Sequence, residues 1–182
     1  MTKGKPIQIA LIAVIALFSG WHFSRSPWGG EGPVTAANRR HEFPQFVLTD
    51  LSGETWKVSG QRGKVVLVNV WASWCPPFRQ ETPGFVHLSR SLDPRAFAIA
   101  GITMDENKAA VVSFVHHYQI PYRILLPDRS CAEIENRLEG LPTSFLLDPQ
   151  GRIAKTYLGA VRETQLRSDV EQLLTEGKQK TT

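Results

Sequence analysis

Apolar positions fall into two regimes along the chain. From Ile7 to Phe18 they run almost unbroken, as IQIALIAVIALF, and continue through Ser19 to Phe23. From Phe46 onward they recur in short periodic blocks separated by Gly, Pro, Asp and Ser. FVLTD and ETWKV flank a turn at Leu51, Ser52 and Gly53, which predicts an N-terminal β-hairpin. KVVLVNV, Lys64 to Val70, is too continuously apolar for a half-exposed strand and predicts a central strand buried on both faces. Pro76 suits a first helical position, so a helix is predicted to Leu92, kinked by Pro83 inside it. There follow a strand from Phe97 to Thr103, a helix from Lys108 to Tyr118, a strand from Tyr122 to Leu126 and a short helix from Ala132 to Leu138. TSFLLD and RIAKTYLG flank Pro149, Gln150 and Gly151 as a second hairpin, and Arg162 to Glu176 closes the chain as a helix with Leu166, Val170, Leu173 and Leu174 on one face. This alternation argues for an α/β fold whose mixed central sheet of four or five strands contains a parallel element.

The first regime is a membrane anchor or a signal peptide. Lys3 and Lys5 precede it, and Phe18 to His22 offers no good pair of small residues for cleavage, which favours an uncleaved transmembrane helix. Its 17 residues from Ile7 to Phe23 make a helix of about 25 Å, with Trp21 near the interface. Positive charge on the short leading side places that end in the cytoplasm, so the rest of the chain is expected on the extracytoplasmic face of the inner, or cell, membrane. The expected organisation is an anchor over residues 1–23, a flexible Gly-, Pro- and Ser-rich linker over 24–43, one domain over 44–176 and a short tail over 177–182.

Charge then excludes one class of partner. The net charge of +4 divides unevenly: from Pro44 to Glu176 there are 14 basic and 15 acidic residues, and the flanks hold seven basic and two acidic. The basic character belongs to the tails, and the domain has no electrostatic footprint for nucleic acid. With 182 residues the chain can bury a core without metal or disulfide support. Its two cysteines, Cys75 and Cys131, form neither a disulfide framework nor a zinc module, so if either matters it is for reactivity.

Cys75 is the stronger candidate. In WASWCPPF it stands where a buried strand gives way to a helix, and a helix N-terminus favours an anion over a neutral thiol. A second cysteine one turn on would release a mixed disulfide from within, but that position holds Phe78. A reaction begun at Cys75 then waits for another thiol, either Cys131 or an external one, or else the adduct is itself the functional state. The Phe78 ring is expected to shield such an adduct. Cys131 follows the strand from Tyr122 to Leu126, expected beside the Cys75 strand; loops on neighbouring strands usually hold Cα atoms beyond the roughly 7 Å that a disulfide allows, so a structural cysteine is the better reading. Glu81 is a candidate proton relay, weighed against a solvated carboxylate near the helix start. His116 and His117 are adjacent on a helix and point apart, which disfavours a metal site; copper suits thiolate and imidazole, but no spacing selects it.

Taken together, VVLVNVWASWCPPFRQETP and GLPTSFLLDPQGRI resemble the active-site segment and the cis-proline strand of membrane-anchored thioredoxin-fold proteins of the TlpA/ResA type. The resemblance runs from Phe46 to the last helix. It implies a thioredoxin-like fold and thiol-disulfide exchange, in many relatives during cytochrome c or metal-site maturation. It also implies Cys75 as nucleophile, Glu81 as the acid near the site, Pro142 as the cis-proline and Leu141 as the backbone that pairs with a bound peptide. Trp74, Pro76 and Phe78 are expected to join Leu141 and Pro142 in contacting substrate. Phe78 is the departure from the dithiol pattern. The expected substrates are protein or small-molecule thiols and disulfides, with no cofactor, no resident metal and a monomeric state. Two other functions compete: a redox-inactive peptide-binding protein using Trp74, Leu141 and Pro142, and a one-cysteine peroxidase. The latter wants Pro-x-x-x-Thr-x-x-Cys, where this chain has Val68 and Ala72.

Overall fold

The structure is a computed structural model that describes residues 28–30 and 32–179; the predicted anchor over residues 1–23 lies outside them. Among the described residues no helix is long and apolar enough to cross a membrane. Among the described residues eight strands, β1 (His41–Glu42), β2 (Val47–Asp50), β3 (Thr55–Lys57), β4 (Val65–Trp71), β5 (Phe97–Thr103), β6 (Arg123–Leu126), β7 (Thr143–Leu147) and β8 (Arg152–Leu158), form one mixed sheet in the order β1-β8-β7-β4-β5-β6-β2-β3. The helices are α1 (Pro76–Ser91), α2 (Lys108–Tyr118), α3 (Ala132–Glu135) and α4 (Glu163–Gln179). β4, β5 and β6 run parallel, and the remaining pairs are antiparallel.

All seven residues of β4 are buried, as the unbroken apolar run requires. Alternation sends Val66, Val68 and Val70 to one layer, with Phe46, Trp56 and Ile134, and Val65 and Leu67 to the other, against Phe85 of α1 and Val170 of α4. A third cluster closes the C-terminal end of β4, where Trp71, Ala72 and Cys75 meet Phe78, Val111 and Phe114. α1 continues through Pro83 to Ser91.

The sheet exceeds the four or five strands expected because both of its edges recruit N-terminal chain. The β2–β3 hairpin attaches through Thr49 and Asp50 to β6, and β1 pairs with β8, so unpaired backbone groups on β6 and β8 find partners. The stretch read as a flexible linker is correspondingly docked in its second half. Val34 and Phe43 are buried, Thr35 N–H donates to Ala154 O at 2.8 Å, and the buried Arg40 pairs with Asp148 at 3.3 Å and Glu176 at 2.7 Å. Further upstream, Gly29 N–H donates to Ala160 O at 2.6 Å, and Trp28 forms a bridge to Ala160. Periodicity did not reveal this segment because it docks through single residues rather than a regular strand. At the other end α4 runs to Gln179, three residues into the expected tail.

Candidate active site

Residues 72–75 carry the chain from β4 into α1, and two side chains hold them in place. Asp105, just past β5, accepts from Ser73 N–H and from Ser73 Oγ, both at 2.7 Å, and from Thr103 Oγ1 at 2.9 Å. Arg79, in the first turn of α1, folds back to donate from Nε to Ser73 O at 2.9 Å. Cys75 N–H donates to Ala72 O at 3.0 Å, which completes the turn. Cys75 is the N-cap of α1, and Pro76 and Pro77 occupy the first two helical positions. The prolines fix φ for helix entry but bring no N–H, so of the first three helical amides only that of Phe78 is a donor. The supply of free amides at this N-terminus is thus smaller than the helix start alone suggests.

The thiol lies against the second predicted segment. Leu141-Pro142 is a cis peptide, and Cys75 Sγ is 3.5 Å from Leu141 O. Gly159 N–H holds Pro142 O at 2.8 Å, and Thr143 Oγ1 donates to Gly140 O at 2.7 Å, which ties this loop to β8 and to its own start. Cys75 is only 4% exposed, yet it lies between the exposed Trp74 (64%) and the exposed Pro76. Leu141 is half-buried and Pro142 buried. The sequence separates Cys75 from Leu141 by 66 residues, and the fold brings them into contact.

Phe78 departs from expectation. It has no exposed surface, so its ring is not presented to the mouth of the site, where a substrate contact or a shield over an adduct was expected. Its ring turns inward, stacked on Trp71 at a centroid distance of 4.3 Å and on Phe114 at 5.3 Å, with Tyr118 continuing the row beyond Phe114 at 4.5 Å. Gly101 makes room for this row: a Cβ there would stand 2.8 Å from Trp71 Nε1. An aromatic side chain at the start of an amphipathic helix belongs in the core, and the neighbouring ring surface draws it there.

Glu81 is likewise inside, 2% exposed, and not a solvated carboxylate. Asn69 Nδ2 donates to one oxygen at 3.1 Å and Val161 N–H to the other at 2.8 Å, while Asn69 also donates to Ser144 Oγ at 2.8 Å. Burial pushes its carboxyl up to about 8, outweighing the two hydrogen bonds that favour the ion. On α1 its neighbour one turn back is Phe78, three positions before it, rather than Cys75, six positions before it. The Tyr122 hydroxyl is buried without a hydrogen-bond partner among the described residues, as is Trp71 Nε1. Burial and the Glu81 charge push the Tyr122 phenol up.

Cys131 lies elsewhere. It is fully buried in the layer that holds Val66, Phe145 and Ile134, it makes no disulfide with Cys75, and burial pushes its thiol up. It follows β6, and β5 stands between β6 and β4, so the strands leading to the two cysteines are not neighbours. Two strand spacings amount to about 10 Å, beyond the roughly 7 Å Cα separation a disulfide allows. His116 and His117 are exposed on α2. Sequence reasoning did not find Asn69, Ser73, Arg79 or Asp105. Asn69 had a signal, as the polar residue inside KVVLVNV, because a buried amide needs partners.

The AhpC/TSA family model matches residues 40–167, which contain every element from β1 into α4. The chain belongs to the AhpC/TSA family. Among curated relatives, a thiol-disulfide oxidoreductase ResA from Bacillus cereus is 31% identical over 72% of this chain and 76% of its own, and the ResA from Bacillus subtilis is 26% identical over 88% of each. Among solved structures, a thiol:disulfide interchange protein of the thioredoxin family from Chlorobium tepidum matches with a TM-score of 0.70 and 26% identity, covering 76% of this chain and 99% of that one. This AhpC/TSA chain is thus a thioredoxin-like α/β protein.

Proposed function

We propose that the protein is a thiol-disulfide oxidoreductase in which Cys75 is the sole reacting thiol, anchored in the membrane with its domain on the extracytoplasmic side. The observation that carries the reading is the meeting of Cys75 Sγ with Leu141 O beside the cis-proline, between the exposed Trp74 and Pro76. A peptide laid along the Leu141 backbone brings its own sulfur to Cys75. The Cys75 thiolate attacks one sulfur of a substrate disulfide; the old S–S bond breaks with its electron pair on the departing sulfur, and a mixed disulfide remains on Cys75. Release requires a thiol from outside, since position 78 offers an inward-facing ring and Cys131 lies in another layer. Glu81 is the proposed proton relay during exchange at Cys75, because a carboxyl pushed up to about 8 by burial holds a proton near neutral pH. The names of the ResA relatives and of the Chlorobium protein support the activity. The peroxidase reading finds no support at Val68 and Ala72, both apolar and fully buried.

The test is an insulin reduction assay with Cys75→Ser, Cys131→Ala and wild type at a fixed external thiol concentration. Cys75→Ser is expected to lose all activity and Cys131→Ala to keep it. Partner binding unchanged in Cys75→Ser, with no turnover in wild type, would instead establish a redox-inactive peptide-binding protein. Protease added to intact spheroplasts is expected to digest the domain; protection would overturn the orientation.

A further inference from the structure

Between the first turn of α1 and α2, against the Ser73–Arg79 hydrogen bond that flanks Cys75 in sequence, lies a groove of about 400 Å³. Ser73 and Arg79 form one wall, Ser113 and His117 the opposite rim, and Phe114 and Tyr118 the apolar floor. Ser73 precedes the cysteine by two residues, Arg79 follows it by one helical turn, and Phe114 packs in the same cluster as the thiol. Among the described residues the lining holds one arginine, one histidine and no acidic side chain. The nearby Asp105 carboxylate is taken up by Ser73 and Thr103. Arg79 uses Nε on Ser73 O and makes no other hydrogen bond or ion pair among the described residues, which leaves the two terminal nitrogens of its guanidinium as donors. His117 makes an edge contact with the Tyr118 ring and, among the described residues, no hydrogen bond or ion pair. A fixed guanidinium suits bidentate recognition of a carboxylate or sulfonate.

We infer that this groove docks the external thiol that resolves the Cys75 adduct, and that it selects a small thiol bearing an anionic group. The inference rests on Cys75 acting as a single-thiol redox site. With its anionic end on Arg79 and His117, the bound thiol gives up its proton to solvent and its thiolate attacks Cys75 Sγ. The bond to the substrate sulfur breaks with its electron pair on that sulfur, and a disulfide forms between Cys75 and the small thiol. A second small thiolate attacks the sulfur of the first, Cys75 leaves as thiolate, and the small disulfide departs. Two small thiols are oxidised for each substrate disulfide reduced. The groove supplies to the first attack the proximity that a second cysteine would otherwise supply.

The experiment labels Cys75 of the Cys131→Ala protein with 2,2′-dithiodipyridine and follows pyridinethione release on mixing with three thiols of one skeleton: 2-mercaptoethanesulfonate, 2-mercaptoethanol and cysteamine. Rate constants are compared per thiolate. The sulfonate is expected to react about tenfold faster than the neutral thiol, with saturation, and cysteamine slowest. That preference should fall toward unity in Arg79→Gln with His117→Gln. Equal rates for the three thiols, or a preference that survives both substitutions, would overturn the inference. If Arg79→Gln disturbs the turn at Ser73, the neutral-thiol rate moves as well, and His117→Gln alone, on the exposed face of α2, carries the test. Ethanesulfonate titrated against the Cys75→Ser protein, with the His117 ring resonances as readout, separates the two claims: a shift there with no labelling of Cys75 would sink the redox reading, and labelling with no shift would sink the groove.

Discussion

Glu81 and Asp50 make the pH behaviour of this protein testable one residue at a time. The Glu81 carboxyl stays protonated in the folded protein up to about 8 but ionises near 4.5 in the unfolded chain, so between those values the folded state holds the extra proton. Its contribution is therefore most favourable below about 4.5 and is lost as pH rises toward about 8. Urea midpoints of wild type and Glu81→Gln are expected to lie close together at pH 4 and to separate by pH 8, with the variant more stable; parallel profiles would refute the assignment. Asp50 gives the opposite limb. Hydrogen bonds from Ser52 and Arg123 hold its carboxyl down to about 2 despite burial, so its contribution is lost as pH falls from 3.8 through that value. For Tyr122→Phe, which removes a buried hydroxyl without a partner, the expected outcome is between no change and about 1 kcal/mol of added stability, read by denaturant titration.

At the scale of elements, α1 joins the site to the core through position 78. Phe78→Cys would put a thiol one turn from both Cys75 and Glu81, within reach of a mixed disulfide on Cys75. It is expected to speed insulin reduction, because the new thiol releases the product from within and leaves an internal disulfide on Cys75 that the external thiol then reduces. The same change removes a ring stacked between Trp71 and Phe114, at a cost of about 2–4 kcal/mol of stability. Faster turnover with a lower melting temperature is the expected pair of results, and an unchanged melting temperature would contradict the inward stack. Some element boundaries were legible in advance: β5 and α2 match the sequence reading residue for residue, since period and Pro or Asn punctuation act locally, whereas the short helix expected to Leu138 ends at Glu135. The burial of Glu81 was not, because it depends on Val161, 80 residues away in sequence, and on Asn69, reached across α1 and β4. The direction of Phe78 was hidden for a similar reason, since the surface that draws it in comes from α2.

At the scale of the whole molecule, the chain before β2 is part of the domain. Arg40→Ala would leave Asp148 with Arg152 alone and expose an uncompensated Glu176, and a loss of about 2–3 kcal/mol is expected in denaturant titration. The docking of Trp28 at Ala160 bears on reach. Ala160 adjoins both Gly159, which bonds the cis-proline carbonyl, and Val161, which bonds Glu81, so the N-terminal chain joins the domain at its reactive end. If residues 7–23 span a membrane as proposed, four residues lie between Phe23 and Trp28, and the five steps from one to the other extend at most about 17 Å. The thiol would then work as a short-leashed reagent facing the lipid surface, within range of cysteines that emerge from the bilayer and out of range of those carried on tall ectodomains. Lengthening the leash with a Gly-Ser insert before Trp28 should widen the set of proteins trapped on Cys75 while leaving the rate with a soluble disulfide as it was.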